Sequence, residues 1–417
     1  MKPKLFHRNF SLLIAGQASS LLGNGILDFA MSMYVLDKTG SAAVYAGFLT
    51  ASMIPSILFS PLGGILADRG NKRNIMAGLD FLAGLGVLLA AMLMREENSL
   101  AMICGLLLFE SVLGAFENPA VQSCIPFMQK GENLIRANAV VIQINALSAF
   151  FSPILGSLVY TAFGLKPVLY AGVVCFLFTA CFECFIEIQS PRYEKQGGEN
   201  PLQLVKNDFL DSLRLITRER PAILKMLLVI SVVTCLIQGV SAVGFPYIIR
   251  TVLGLSSIYY GVSESAVGLA AIAGGILAGL AASKIHGKNI YLIIGALGFF
   301  LIPPGILFLL SGNPYIRYGT LVLFSVLLQL AACGFSIFAT SLIQRLTPGN
   351  MMGKVSAYTS AFTQCIQPLG QILYGFLFDS FSGGVAWILI LTGTLLGGFG
   401  LAAKGFFRKT GQEFTEN

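Results

Sequence analysis

The sequence predicts an all-α polytopic membrane protein, with twelve transmembrane helices in two six-helix pseudo-symmetric bundles. Composition is the first observation behind this prediction: of 417 residues, 55% are hydrophobic and 11% are charged, whereas a soluble domain carries about 25% charged residues. The second observation is a series of twelve long apolar stretches, and the third is a repeat between the two halves of the chain. A soluble fold of this composition could not cover its surface with polar groups.

Each apolar stretch is long enough to cross a bilayer as a helix, which takes about 20 residues. We expect the spans at 10–36, 41–66, 73–94, 98–122, 139–163, 167–189, 222–249, 259–282, 290–311, 315–343, 355–379 and 385–407. The first stretch contains Asp28 and has no small-residue cleavage site, so it is interpreted as a retained span and not as a signal peptide.

One long polar stretch lies in the middle of the chain. It divides the sequence into an N-terminal six-helix bundle at 1–189, a cytoplasmic linker at 190–221 and a C-terminal six-helix bundle at 222–417. Apolar residues recur at helical spacing from Leu202 to Arg218. That spacing predicts a short amphipathic helix on the membrane surface within the linker.

The two halves of the sequence resemble each other. A shift of 215 residues places 64–75 on 279–290 and Pro153 on Pro368, and both matches fall in equivalent loops or spans. Parallel halves of six spans predict a substrate site between the halves, near the middle of the membrane.

Lysine and arginine residues are distributed unevenly between the two sides of the predicted bundle. With the N-terminus inside, 22 of the 27 lie in the tails and cytoplasmic loops, and the 5 on the other side are Lys38, Arg95, Lys166, Arg250 and Arg317. Because cytoplasmic loops are enriched in Lys and Arg, we expect both termini in the cytoplasm. The basic residues form no run, so the anionic inner leaflet is the expected partner and nucleic acid is not.

Several carboxylates lie within the predicted spans, where charged groups are costly and often functional. Asp28 in span one and Glu110 in span four are predicted as the central carboxylates that bind a proton or the substrate. The alternative is that each is a neutral acid, hydrogen-bonded to neighbouring helices. Three further acids lie nearer to helix ends and are interpreted as structural: Asp80, Glu183 and Glu264.

The loop after span two carries a recognisable pattern, Gly64-x-x-x-Asp68-Arg69-x-x-Lys72-Arg73. It resembles the signature of the major facilitator superfamily in the same loop. Further segments resemble the drug–proton antiporter branch that includes macrolide exporters and enterobactin exporters: Gly16-Gln17, Asp37 to Ser41, Glu117 to Ala120, Ile135 to Asn138 and Gln367 to Gly370.

The resemblance implies that this loop is a cytoplasmic gate. Asp68 would meet the positive N-terminus of span eleven, and Gly64 would let the helix end approach its neighbour closely. Arg69, Lys72 and Arg73 would pair with an acid on span four, for which Glu117 is the candidate. The alternative for the basic residues is that they only follow the excess of positive charge on the cytoplasmic side.

Two helix-bending segments complete the resemblance. Pro153 and Gly156 in span five resemble the tail of an antiporter motif, and Pro368 is the matching proline of span eleven. Proline with small neighbours bends a helix and permits close packing, which is all that most membrane prolines do. The branch commonly has an arginine four residues before the glycine that is Gly114 here, and Glu110 replaces it.

The resemblance implies a secondary active transporter that exports small amphipathic compounds, similar to drugs, macrolides or siderophores, by proton-coupled alternating access. The alternative is a lysophospholipid flippase or a solute importer of the same fold. No cluster of catalytic side chains, ATP-binding motif or metal-ligand pattern is present in the sequence, so we expect neither an enzyme nor a cofactor nor a metal site. We expect a monomer in the bacterial cytoplasmic membrane.

Overall fold

The computed structural model describes residues 5–187, 221–281, 290–347, 352–381 and 383–412. Within these ranges the chain forms twelve long helices: α1 Arg8–Thr39, α2 Ala42–Arg69, α3 Lys72–Leu93, α4 Ser99–Met128, α5 Glu132–Phe163, α6 Leu165–Cys184, α7 from Pro221 to Val252, α8 Ser257–Ala281, α9 Ile290–Leu310, α10 Pro314–Leu346, α11 Met352–Ser380 and α12 Val385–Gln412. The all-helical prediction is confirmed.

Helix ends follow from local side-chain chemistry. At the start of α1, the ring of His7 accepts a hydrogen bond from the backbone N–H of Phe10. Asn71 caps α3 in the same way, through the N–H of Asn74. Gly40 ends α1 with φ 62°, a left-handed conformation that glycine adopts at little cost, and its N–H bonds to the carbonyl of Leu36.

Eleven of the described helices are long and apolar enough to cross a membrane. The twelfth long helix, α11, is more polar, because its first half carries Lys354, Ser356, Thr359, Thr363 and Gln364. The linker helix predicted between Leu202 and Arg218 lies outside the described residues.

The chain forms two compact units. Unit 1 contains Met1–Gly40, Gly47–Lys195 and Gly254–Gly268, and unit 2 contains Ser41–Ala46, Gln196–Leu253 and Leu269–Asn417. In unit 1, α1 packs on α5 and α6, and α3 packs on α4 and α6; in unit 2, α7 packs on α11 and α12, and α9 packs on α10 and α12. Each packing pair of unit 1 therefore recurs in unit 2 between helices six places later, as a repeat would give.

Apolar side chains form the interior of unit 1 and also cover much of the protein surface. One buried cluster joins α1, α3, α4 and α6 around Leu27, Met31, Val87, Ile103 and Phe176. Large apolar side chains elsewhere are exposed, among them Ile135, Leu280 and Leu310 at 74%, 73% and 77%. Since an exposed apolar surface of this extent is unfavourable in water, it is the surface that meets lipid.

Candidate functional site

The structure places the two carboxylates that the sequence ranks first on neighbouring helices of unit 1. Asp28 lies on α1 and Glu110 on α4, within range of an electrostatic interaction. The side chain of Asp28 is exposed and that of Glu110 is half-buried. One carboxylate oxygen of Glu110, Oε1, is buried and has no hydrogen-bond partner in the described part of the chain. This is a costly arrangement for a polar atom unless a ligand or a proton occupies it.

The first half of α8, which belongs to unit 1, adds a third acid and an aromatic ring. Tyr260 stacks on Phe29, the residue after Asp28, with ring centroids 5.5 Å apart and planes 18° from parallel. Tyr260 also hydrogen-bonds to Glu264, which is half-buried. A structural role was predicted for Glu264 because it lies near a helix end. No sequence signal connects α8 with the segment around Asp28, so this neighbourhood was missed.

A second acid group lies elsewhere in unit 1. Asp80 on α3 and Glu183 on α6 are both 0% exposed, and their side chains lie within hydrogen-bonding range of each other. Ser20 donates its hydroxyl to Asp80 Oδ1 at 3.1 Å. Among the described residues, no donor reaches Asp80 Oδ2 or either carboxylate oxygen of Glu183. Neither acid has a hydrogen to donate while both are ionised, so their contact becomes a hydrogen bond only when one of them is protonated.

Glu117 belongs to this second acid group. Two of the basic residues predicted as its partners, Lys72 and Arg73, have other contacts. Its charge acts on both Asp80 and Glu183. Lys72 is 4% exposed, and its Nζ lies 4.7 Å from the centroid of the Phe127 ring. Arg73 donates from Nε to Asn74 Oδ1 at 3.2 Å. These are the contacts of Lys72 and Arg73 in the described part of the chain, and the predicted pairing of Glu117 with them stays a prediction.

The remaining residues of the predicted gate are described only in part. The backbone of α2 runs to Arg69, but the side chains of Asp68 and Arg69 lie outside the part of the chain that the structure describes. Among described residues, nothing lies within 4 Å of where a Cβ on Gly64 would be, so its close approach to a neighbouring helix stays a prediction. A Cβ on Gly63 would overlap the carbonyl oxygen of Ala115 on α4, which makes Gly63 a point of close approach.

The helix-bending segment of α5 packs between two other helices. Pro153 lies inside α5, and a Cβ on Gly156 would lie 3.2 Å from Phe29 Cβ on α1. Ser265 of α8 donates its hydroxyl to the carbonyl oxygen of Phe150 at 2.7 Å. This part of α5 thus packs against both elements that carry acids, α1 and α8. Pro368 lies inside α11.

Helix α7 departs from regular α-helical geometry, which the sequence analysis did not predict. After Pro221–Gln238 it continues as π-helix at Gly239–Gly244 and again at Ile248–Val252. A Cβ on Gly239 would lie 2.7 Å from the carbonyl oxygen of Gly370 on α11. Such wide turns are frequent at functional sites. The glycines that interrupt this apolar stretch are the sequence feature from which the irregular geometry could have been predicted.

A polar pocket of about 850 Å³ opens at the end of unit 1 where α1 begins, and it is lined by His7, Asn9, Asn71, Arg73, Pro126, Phe127, Met128, Lys130 and Glu187. Neither Asp28 nor Glu110 lines this pocket, so it is distinct from the substrate site predicted at those two acids. Within the described residues, no group of three or more His, Cys, Asp or Glu side chains could hold a metal ion.

Comparison with known proteins gives a family match and distant relatives. The Major Facilitator Superfamily model matches residues 13–366. Macrolide efflux protein A of Streptococcus pyogenes is 25% identical over 392 residues, 93% of each chain. The protein of the same description from Enterococcus faecalis is 24% identical over 336 residues, 79% of this chain and 99% of that one.

Solved structures match the fold at low sequence identity. The nucleoside transporter NupG has a TM-score of 0.70 at 15% identity, covering 97% of this chain and 99% of that chain. A bacterial homologue of the iron transporter ferroportin has a TM-score of 0.72 at 16% identity, covering 97% and 98%. At these identities the likeness shows the fold alone, and it confirms the predicted arrangement of two six-helix bundles.

Proposed function

Because the chain belongs to the Major Facilitator Superfamily and is a secondary transporter, we propose that it exports small amphipathic cations in exchange for protons. The observation that supports this proposal is that Asp28 and Glu110 lie on neighbouring helices of unit 1, within range of an electrostatic interaction. The similarity to macrolide efflux protein A supports export and suggests macrolide-like compounds as cargo. The transporter works by alternating access and acts as a monomer.

The paired carboxylates supply a physical reason for exchange. Two negative charges that act on each other are relieved when either a proton or a cationic ligand arrives. A bound cation therefore favours release of the proton, and a bound proton disfavours the cation. Glu264 adds a further negative charge on α8, where it is hydrogen-bonded to Tyr260, whose ring packs on Phe29 beside Asp28. A cationic ligand matches this set of acids.

Orientation follows from the distribution of positive charge. We place both termini in the cytoplasm and the chain in the bacterial cytoplasmic membrane, because 22 of the 27 Lys and Arg residues then fall on the inner side. In this orientation α1 begins at the inner side and α2 begins at the outer side.

We assign closure of the cytoplasmic side to the signature segment at the end of α2, which runs from Gly64 to Arg73. Asp68 interacts with the N-terminus of α11, and Arg69, Lys72 and Arg73 change partners as the inner side opens and closes. Glu117 supplies their acid partner in the state in which they pair with α4. The family resemblance of the sequence pattern supports this assignment. Pro153, Gly156 and Pro368 bend the helices that line the path.

Cells that lack their own exporters test the function. Accumulation of fluorescent cations, macrolides and quinolones is measured with and without a protonophore, for wild type, Asp28→Asn and Glu110→Gln. Glu97→Gln is the matched control, because Glu97 is an exposed acid in the turn between α3 and α4. We expect the wild type and the control to lower accumulation until the protonophore is added, and both site variants to export less at equal expression.

Equal export by both site variants and the wild type would contradict the role of these carboxylates. Lack of export of every compound would contradict drug export itself. In that case, lysophospholipids and siderophores would be tested next as cargo, in both directions.

A further inference from the structure

The N-terminus of α2 is capped by a residue that is distant in sequence. Helix α2 has no acidic residue in its first turn. Asp379, in the last turn of α11, supplies the acid: its Oδ2 accepts from the Ser41 hydroxyl at 2.5 Å and from the Ala43 N–H at 3.0 Å. Its Oδ1 accepts from the Ala42 N–H at 2.7 Å. A carboxylate with three donors at the positive end of a helix is a strong, charge-assisted contact.

A second contact one turn earlier holds the same two helices together. Gly375 is buried, and a Cβ placed there would lie 2.7 Å from Ala46 Cβ and 3.0 Å from the carbonyl oxygen of Ala42. No larger residue fits without movement of a backbone. Ser41–Ala46 consequently groups with α11 in unit 2, although the rest of α2 belongs to unit 1. The contact of Asp379 is therefore part of a built interface and not a chance approach of one side chain.

The outer contact uses the same elements as the predicted inner gate. Gly375-x-x-x-Asp379 repeats the spacing of Gly64-x-x-x-Asp68. Asp68 lies at the end of α2 and is expected to meet the start of α11, whereas Asp379 lies at the end of α11 and meets the start of α2. If the predicted contact of Asp68 forms, each helix ends in an acid for the N-terminus of the other. With 28 residues in α2, the two contacts lie about 40 Å apart, at opposite sides of the membrane.

We propose that Asp379 is an outer latch, and that it and the inner latch of Asp68 form and break in alternation. Rocking of one half of the chain against the other separates these helices at one side when it brings them together at the other. Each latch then stabilises one state of the cycle, and loss of one latch shifts the population towards the state that the other stabilises. This inference goes beyond the proposed function, because it depends on neither the cargo nor the direction of transport.

Hydrogen exchange of the full-length protein in lipid nanodiscs, followed by mass spectrometry, tests the latch. The variants are Asp379→Asn, Ser41→Ala and Asp68→Asn, with Glu97→Gln as the control. In Asp379→Asn we expect exchange at the start of α2 to rise about tenfold, because the carboxylate no longer holds these amides. Exchange at the start of α11 should fall in the same variant. Asp68→Asn should change both segments in the opposite sense.

Two outcomes would overturn the proposal. Faster exchange at both segments in Asp379→Asn would show a general loss of stability, and an unchanged start of α11 would show a local cap without coupling. Ser41→Ala removes one donor to Asp379 and also the hydroxyl that accepts from the Val44 N–H, so faster exchange at the start of α2 is expected from the lost cap alone. Slower exchange at the start of α11 is the readout that the latch requires in this variant, and it keeps the test decisive if Asp379→Asn does not fold. Because no transport is measured, failure of the latch and failure of drug export are separate results.

Discussion

At the residue scale, the fully buried acids Asp80 and Glu183 have one interpretation that fits their surroundings. Both are 0% exposed, and the one hydrogen-bond donor that reaches them from the described residues is Ser20, on Asp80 Oδ1. Two ionised carboxylates in contact without donors would be strongly unfavourable. A single shared proton removes one charge and supplies the missing donor, so the pair is expected to hold one proton between them.

Substitution of Glu183 tests the shared proton. Gln has the shape of the protonated acid and can donate to Asp80, so Glu183→Gln should unfold at nearly the wild-type temperature. Leu cannot donate, so Glu183→Leu should lower the free energy of unfolding by about 1–3 kcal/mol. Thermal unfolding in detergent, followed by circular dichroism, measures both. Equal destabilisation by Gln and Leu would argue against a hydrogen bond at this position.

Glu264 is expected to distinguish charged from neutral cargo. Glu264→Gln keeps the size of the side chain and removes its charge. A half-buried charge near a cation contributes about 1 kcal/mol or more to binding, which corresponds to about fivefold in affinity. Export of cationic compounds should fall by about that factor while export of neutral compounds of similar size is retained. Concentration dependence of export for one cation and one neutral analogue measures the difference. A uniform loss for both would assign Glu264 a purely structural role.

At the element scale, two adjacent glycines of α2 differ in what they face. A Cβ on Gly63 would overlap the carbonyl oxygen of Ala115, whereas a Cβ on Gly64 would meet none of the described residues within 4 Å. Gly63→Ala should therefore destabilise the protein by about 1–3 kcal/mol, as overpacking does, and Gly64→Ala should be neutral. Thermal unfolding of the two variants compares them directly. If Gly64→Ala were the more destabilised, the assignment of the close approach to Gly63 would be wrong.

Several features of the helices could not be predicted from the sequence. The existence and approximate limits of the helices did follow from apolar length alone, since a stretch of about 20 apolar residues has few alternatives to a membrane span. The π-helical turns at Gly239–Gly244 depend on the approach of α11 to α7. The choice of Gly63 over Gly64 depends on the rotation of α2 about its own axis. Both are tertiary properties, and hydropathy carries no information about either.

At the scale of the whole molecule, the sequence predicted the fold and part of the candidate site. Asp28 and Glu110 were selected because acids are rare in apolar spans, and that argument holds without any structure. Their proximity, the stacking of Tyr260 on Phe29 and the capping of α2 by Asp379 depend on the register between helices. Register is set by packing over distances of 80 to more than 300 residues along the chain, so single-sequence patterns do not report it.

The central claim is that a cation and a proton compete for the paired carboxylates of Asp28 and Glu110. The most direct measurement is proton release from the purified protein in weakly buffered detergent solution, followed with a pH indicator as a cationic compound is added. We predict release of about one proton per bound cation in the wild type, and none in the double variant Asp28→Asn/Glu110→Gln. Binding without proton release in the wild type, or equal release in the double variant, would contradict the account.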